Sequence, residues 1–415
     1  MDHLGKISTG FSLEGSRRIV RALRGLVVGV LLARHLGPEQ YGTYSYALSI
    51  GMLLGAFIPF GLDGILTREF TQSSRSPRPI LISGMLGRMF GAGVLIVGVP
   101  IYLAIGKPNP TITLILLMGC LDRLALIPRV REFQFQAYGQ FGVLARCDIA
   151  ATLLGAGFVI IGIVQDWPLW TFALGLAIDA ITYAALLWLA RPRIPEDIPS
   201  TPPPKFKSLM SEAFPYLLAT ASAVAYMQMD VVLIRNLQGD YEAGIFQGAI
   251  RVVLAAFMML VALYSVLLPR IQACPEEDFK TGVQSSSRMM SRLALVLLIL
   301  TLTIGVPLFP LVLGKEFTEG RLVLACLTPV LCFMGIKLIA DAIIIRKKAG
   351  WLMCALNGSA AVVNLILNLA LIPVMGIYGA AIALIGAYAV AGLGIGFSKR
   401  FSWTRAVFLR SLLGR

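Results

Sequence analysis

Charge, histidine and cysteine pairs are all scarce in these 415 residues, and each scarcity excludes something. Charged residues make up 14% of the chain, against about a quarter in a soluble domain. So little charge cannot cover a surface in water, and lipid is the expected solvent for most of the chain. The two histidines are His3 and His35, and H-E-x-x-H is absent. The six cysteines (Cys120, Cys147, Cys274, Cys326, Cys332, Cys354) form no C-x-x-C, so neither a disulfide frame nor a metal site is suggested. P-loop, G-x-S-x-G and strand-borne G-x-G-x-x-G patterns are missing too, and the first residues lack a signal-cleavage pattern. Apolar runs are helix-length, without the ten-residue alternation of an outer-membrane barrel.

What is present is apolar. Hydrophobic residues reach 57% and mean hydropathy is +0.80. Runs of about 20 residues bounded by charge, Gly or Pro predict spans at 17–36, 43–65, 80–105, 111–135, 143–165, 168–190, 212–237, 242–268, 288–312, 321–345, 351–372 and 377–397. The expected fold is an all-α integral membrane protein of about twelve transmembrane helices in two pseudo-symmetric six-helix bundles around a central cavity. Net charge is +14. On a soluble protein that would suggest nucleic acid. Here 29 of the 36 Lys and Arg fall in the termini and alternate inter-span segments, counted with the span ends that flank them, which predicts both ends in the cytoplasm and no nucleic-acid partner.

The longest polar stretch holds Pro192, Pro195, Pro199, Pro202, Pro203 and Pro204, a composition that favours an extended connector. It predicts an N-terminal bundle (1–191), a linker (192–207), a C-terminal bundle (208–398) and a basic cytoplasmic tail (399–415). The halves resemble each other: Leu32-Ala33-Arg34-His35-Leu36 matches Leu233-Ile234-Arg235-Asn236-Leu237, Gly42 lines up with Gly244, and Arg68 with Arg270. Halves with even span counts are parallel repeats, an arrangement suited to alternating access around a central cleft.

Charges inside the spans are the candidate functional groups. On a helical wheel Arg17, Arg21 and Arg24 share a face, flanked by Arg18. Arginine facing lipid at depth is costly, so this stripe reads as a phosphate or pyrophosphate site or as an interfacial turn that touches anionic lipid. Arg68 and Arg251 join the candidate head-group set; Arg251 pairs with Asp230 or lines the cleft. Lys337 and Asp341, at i and i+4, are either a neutralised pair or an ion-coupling site. Asp179 is the loneliest intramembrane acid and a second coupling candidate. Asn357, Asn364 and Asn368 share a face and read first as interhelical hydrogen-bonding groups.

One stretch, Leu31-Leu32-Ala33-Arg34-His35-Leu36-Gly37-Pro38-Glu39-Gln40-Tyr41-Gly42-Thr43-Tyr44, resembles the signature after the first helix of Wzx-like O-antigen and polysaccharide flippases, within the multidrug/oligosaccharidyl-lipid/polysaccharide exporter superfamily. Phe60-Gly61-Leu62-Asp63 with Thr67-Arg68-Glu69, Leu313-Gly314-Lys315-Glu316-Phe317, and Asn364-Leu365-Ile366-Leu367-Asn368 followed by Ile372-Pro373 and Gly379-Ala380-Ala381 extend the likeness over the chain. The resemblance implies a V-shaped cavity lined by cations. It also implies a flippase, not an enzyme, that moves undecaprenyl-pyrophosphate-linked oligosaccharide from the inner to the outer leaflet of a bacterial cytoplasmic membrane. Its partners would be the lipid-linked oligosaccharide, membrane lipids and polysaccharide polymerase machinery. It would need no cofactor beyond a proton or sodium gradient. Two alternatives stay open. A multidrug/cation antiporter of the same superfamily is opposed by the arginine stripe, which repels cations. A membrane-embedded glycan polymerase or ligase is opposed by the short external loops.

Overall fold

The computed structural model describes residues 2–72, 77–194 and 205–412; the side chains of residues 2–24, 72 and 412 lie outside that description, as does most of the proline-rich connector. Among the described residues all regular structure is helical. The helices are α1 (Asp2–Gly55), α2 (Asp63–Gln72), α3 (Arg78–Gly106), α4 (Pro110–Leu124), α5 (Val130–Ala137), α6 (Phe141–Val164), α7 (Leu169–Leu189), α8 (Phe206–Gln238), α9 (Asp240–Ala273), α10 (Phe279–Leu300), α11 (Val306–Leu313), α12 (Gly320–Leu327), α13 (Val330–Arg346), α14 (Gly350–Met375), α15 (Ile377–Leu393) and α16 (Trp403–Leu412).

Nine stretches among the described residues are long and apolar enough to cross a membrane. The expected spans without a counterpart in that set, 17–36, 43–65 and 111–135, fall on α1 and on α4–α5. α1 runs through two of them as one helix with a break at Gly37, whose φ of 68° only glycine adopts easily. Pro38 follows and offers no N–H to continue the ladder. α4 has 15 residues and stops where Ile127-Pro128 interrupts the helix.

Contacts draw the compact units elsewhere than at the proline-rich connector. Unit 1 holds residues 1–17 and 47–224, and unit 2 holds 18–46 and 225–415. Most of the first predicted span therefore packs with the second half of the sequence. In unit 1 the chain breaks twice, at 56–62 and at 125–129. The first break is the Phe60-Gly61 step, with φ of 53° and 67°. A Cβ on Gly61 would stand 2.5 Å from the Leu217 amide nitrogen and 2.6 Å from the Ala213 carbonyl oxygen, so glycine lets α8 press directly on the break. The short helices beyond the breaks, α2 and α5, pack on each other. Leu62, Ile65, Leu66, Phe70, Val130 and Phe133 form their shared core with Leu209 and Ala213. α6 meets α7 through small residues, where a Cβ on Gly155 would stand 2.9 Å from the Gly175 carbonyl oxygen; such close backbone approach is how helices associate in lipid.

In unit 2, α13 and α15 form the most buried stretches. α14 and α15 make a tight hairpin at Gly376 (φ 59°), and α10 passes through a π-turn, Thr301–Gly305, ahead of Pro307, a place where the regular ladder cannot continue. The described part of the segment expected as a tail is built into this unit. Phe401 and Phe408 are buried, and the Ser291 and Ser411 hydroxyls lie 3.2 Å apart, joining α10 to α16. Elsewhere the outward faces are apolar: Ile105, Val164, Leu189 and Val374 are each more than three-quarters exposed. A chain in water would not leave such residues uncovered on so many helices.

Candidate substrate and ion-coupling sites

Arg17, Arg18, Arg21 and Arg24 lie on the backbone of α1, but their side chains fall outside the described residues. The same helix continues to Tyr41, which is fully buried and set edge-on to Phe317, ring centroids 6.3 Å apart. Arg251 of α9 donates from Nε to the Tyr41 hydroxyl at 3.0 Å. Gly29 lies beside it, where a Cβ would be in ordinary van der Waals contact at 3.5 Å from Arg251 Nε. Among the described residues no carboxylate forms an ion pair with Arg251, and Asp230, the sequence-level candidate for that role, is engaged elsewhere. A partly buried guanidinium held by a phenol and lacking a counter-ion favours an anion.

Arg68 is placed differently. Its Nη1 and Nη2 fork onto Glu212 at 2.7 and 2.9 Å, and its Nε and Nη2 reach Glu69 at 3.2 and 2.8 Å. Two carboxylates thus occupy the guanidinium and tie α2 to α8. The hydrogen bonds to Glu212, helped by those to Glu69, raise the guanidinium's affinity for its proton, while partial desolvation works against them. Sequence reading missed Glu212 because it is 144 residues away.

Asp179 sits in unit 1 on α7, with its Cβ where a Gly155 side chain would otherwise project, at 2.8 Å. Lys337 and Asp341 lie in unit 2 and pair at 2.6 Å along α13, the geometry their spacing predicts. The site that sequence reading underweighted is next to them. Asp230 of α8 is 1% exposed. Asn364 Nδ2 and Asn368 Nδ2, one turn apart on α14, both donate to its Oδ1, at 2.9 and 2.6 Å. Three oxygens of this cluster, Asp230 Oδ2, Asn364 Oδ1 and Asn368 Oδ1, are buried without a hydrogen-bond partner among the described residues. Tyr226, one turn before Asp230, stacks edge-on with Tyr388 of α15 at 5.2 Å, and Tyr388 is within electrostatic reach of Asp230, Lys337 and Asp341. The shared face of Asn364 and Asn368 was legible in the sequence; its target on α8 was not. Chemically, a lone buried carboxylate with orphaned amide oxygens is an acceptor set suited to a proton or a hard monovalent cation.

Unit 1 also holds a buried cation that nothing in its sequence neighbourhood singles out. Arg88 is 3% exposed. It bonds Asp63 Oδ1 at 2.8 Å and the Leu126 carbonyl oxygen, and it lies over the Phe133 ring at 5.1 Å. It therefore joins both helix breaks.

The family model described as polysaccharide biosynthesis protein matches residues 15–274. The capsular polysaccharide biosynthesis protein CapF of Staphylococcus aureus is 23% identical over 332 residues, 76% of this chain and 80% of that protein. The probable low-salt glycan biosynthesis flippase Agl15 of Haloferax volcanii is 22% identical over 377 residues, 86% of this chain and 76% of that protein. Among solved structures, lipid II flippase MurJ in an inward closed conformation superposes with a TM-score of 0.74 at 14% identity, over 99% of this chain and 90% of that one. The MATE multidrug transporter DinF-BH gives 0.67 at 14% identity, over 96% and 95%. A match over well over half of the chain settles membership: the chain belongs to the polysaccharide biosynthesis protein family and has the all-helical fold of the MurJ and MATE transporters.

Proposed function

We propose that the chain is a flippase that carries undecaprenyl-pyrophosphate-linked oligosaccharide from the inner to the outer leaflet of a bacterial cytoplasmic membrane by alternating access, supplying cell-surface polysaccharide synthesis. The observation that carries the reading is Arg251, a partly buried guanidinium oriented by Tyr41 with no carboxylate partner among the described residues. A pyrophosphate supplies the missing charge and accepts the fork of N–H donors bidentately. Arg17, Arg18, Arg21 and Arg24 on α1 are proposed to extend that cationic lining. The relatives support the substrate class, since one is named for capsular polysaccharide biosynthesis and another as a glycan flippase. Arg68 contributes to unit 1 through its carboxylates. A cationic-drug antiporter fits less well, because an unneutralised guanidinium repels such a substrate.

Energy is proposed to come from a proton or sodium gradient. Asp230 with Asn364 and Asn368 supplies the acceptor oxygens, and the Lys337–Asp341 pair is the neighbouring charge that cation entry would perturb. Asp179 in unit 1 is a second coupling candidate. Both termini are proposed to be cytoplasmic, with polysaccharide polymerase machinery receiving the product.

The test uses a deletion strain and the leaflet position of its lipid-linked oligosaccharide. Deletion is expected to strand the oligosaccharide on the inner leaflet. Wild type restores outer-leaflet material, while Arg251→Gln and the Arg21→Gln/Arg24→Gln double variant do not, at unchanged protein level. Outer-leaflet oligosaccharide at the wild-type level in either variant would remove the arginines from the mechanism. A deletion that leaves surface glycan intact would remove the function.

A further inference from the structure

Four arginines cluster around the second chain break of unit 1, and three of them have an acid. Arg88 pairs with Asp63 at 2.8 Å, Arg129 with Glu132 at 3.0 Å, and Arg123 Nε with Asp122 at 2.7 Å. Arg131 has none. Its guanidinium lies over the Trp188 indole at 4.8 Å, and its buried Nε has no hydrogen-bond partner among the described residues. Trp188 is fixed in turn, since its Nε1 donates to the Pro128 carbonyl oxygen at 2.8 Å. A partly desolvated cation laid on a ring, with its remaining N–H donors uncommitted, is built to meet an anion.

The surroundings identify that anion. Trp188 is 40% exposed and shares a face of α7 with the exposed Ile181 and Ala185. On α6, Ile149, Leu153, Leu154 and Ile161 form an exposed apolar stripe, and the exposed Arg146 stands one turn before it. α6 packs on α7. Gln140, just before α6, grips the Arg193 backbone amide at 3.1 Å, which brings the exposed Arg191 and Arg193 to the same end. Two apolar helix faces thus end together at four cations and an amphipathic indole. That is the profile of one phospholipid: acyl chains along the helices, phosphate at the rim, aromatic at head-group depth.

We propose that Arg131, flanked by Arg146, Arg191 and Arg193 and set on Trp188, binds the phosphate of an anionic glycerophospholipid whose acyl chains lie along α6 and α7. The site is distinct from Arg251 and concerns membrane lipid, so it stands whether or not the flippase reading does.

Native mass spectrometry of the full chain, released from micelles doped with phosphatidylglycerol or phosphatidylcholine, tests it without any transport assay. Wild type is expected to retain phosphatidylglycerol and to lose phosphatidylcholine. Arg131→Gln should weaken retention of the first by about fivefold, as one cation lost near a charged surface implies, and Arg131→Lys should restore part of it. Trp188→Leu should weaken retention while leaving all four cations in place. If wild type holds both lipids equally, the proposal fails. It fails also if Arg131→Gln retains phosphatidylglycerol like wild type. Should Arg131→Gln not fold, the comparison of the two lipids on wild type and Trp188→Leu decides alone.

Discussion

Gly42 and Gly244 meet backbone to backbone, each filling the space of the other's absent side chain. A Cβ on Gly42 would stand 1.8 Å from the Asp240 carbonyl oxygen and 2.8 Å from the Gly244 nitrogen. A Cβ on Gly244 would stand 1.8 Å from the Pro38 carbonyl oxygen and 3.0 Å from the Gly42 nitrogen. Pro38 and Asp240 are themselves equivalent positions of the internal repeat, so the contact within unit 2 is symmetric between the halves of the sequence. Either glycine replaced by alanine must push α1 and α9 apart by about 1 Å or more, since no bonded backbone atom can yield. With spin labels at the exposed Gln40 and Tyr241, Gly244→Ala is expected to lengthen the measured distance and to lower transport while the protein still accumulates. An unchanged distance distribution would show that the two helices do not depend on this contact.

Asp230→Asn should abolish cation dependence without unfolding the protein. The substituted amide keeps the shape, and it can still accept from Asn364 or Asn368. The negative charge that draws a cation into a dry site is gone. Ligand linkage raises the thermal midpoint when a cation binds the folded state only. The expected result is a midpoint in wild type that rises with sodium at fixed pH, or with acid in its absence, and a flat response in Asp230→Asn. A variant that still responds like wild type would place coupling elsewhere, with Asp179 the next group to examine.

Arg88→Ala should be among the most destabilising single changes in unit 1. It removes the partner of the exposed Asp63, frees the Leu126 carbonyl and takes away the contact with Phe133. A buried acceptor left unsatisfied costs about 1–3 kcal/mol, and the emptied side-chain volume adds to that. The loss in thermal midpoint should exceed that of Arg146→Ala, whose exposed side chain hydrogen-bonds within its own helix at Gly142. Similar midpoints for the two variants would mean that Arg88 does not hold the breaks together.

Glu276 lies between α9 and α10, outside the spans. Its hydrogen bond to Lys347, aided by Arg346, holds its carboxyl below the usual carboxylate range. A depressed folded value means that the contribution is present above the unfolded value and disappears as pH falls through the folded one. Thermal midpoints measured downward from neutral pH should fall less steeply in Glu276→Gln than in wild type. The difference should shrink in high salt, because the carboxylate is exposed.

The residues show which features a sequence can carry. Lys337 and Asp341 were readable because one helical turn brings i and i+4 together whatever else the chain does. The Gly42–Gly244 equivalence was readable as a repeat, while the contact between them was not. Arg68 and Glu212, or Asp230 and its two asparagines, are brought together by packing between helices, and no local period records that. The division of the chain followed the same logic: prolines mark a connector in the sequence, but glycine-to-glycine approach and the Arg251–Tyr41 bond assign most of the first span to the second unit.

What the sequence by itself determined is the solvent and the period: too little charge to face water, apolar runs of helical length, and two similar halves. Tertiary structure alone decided which intramembrane charges are neutralised. Arg68 and Arg88 face carboxylates, while Arg251 and Arg131 face aromatic side chains and no carboxylate among the described residues. The reason is physical: low dielectric makes each buried charge depend on partners within a few ångströms, and separation along the chain carries no record of that distance.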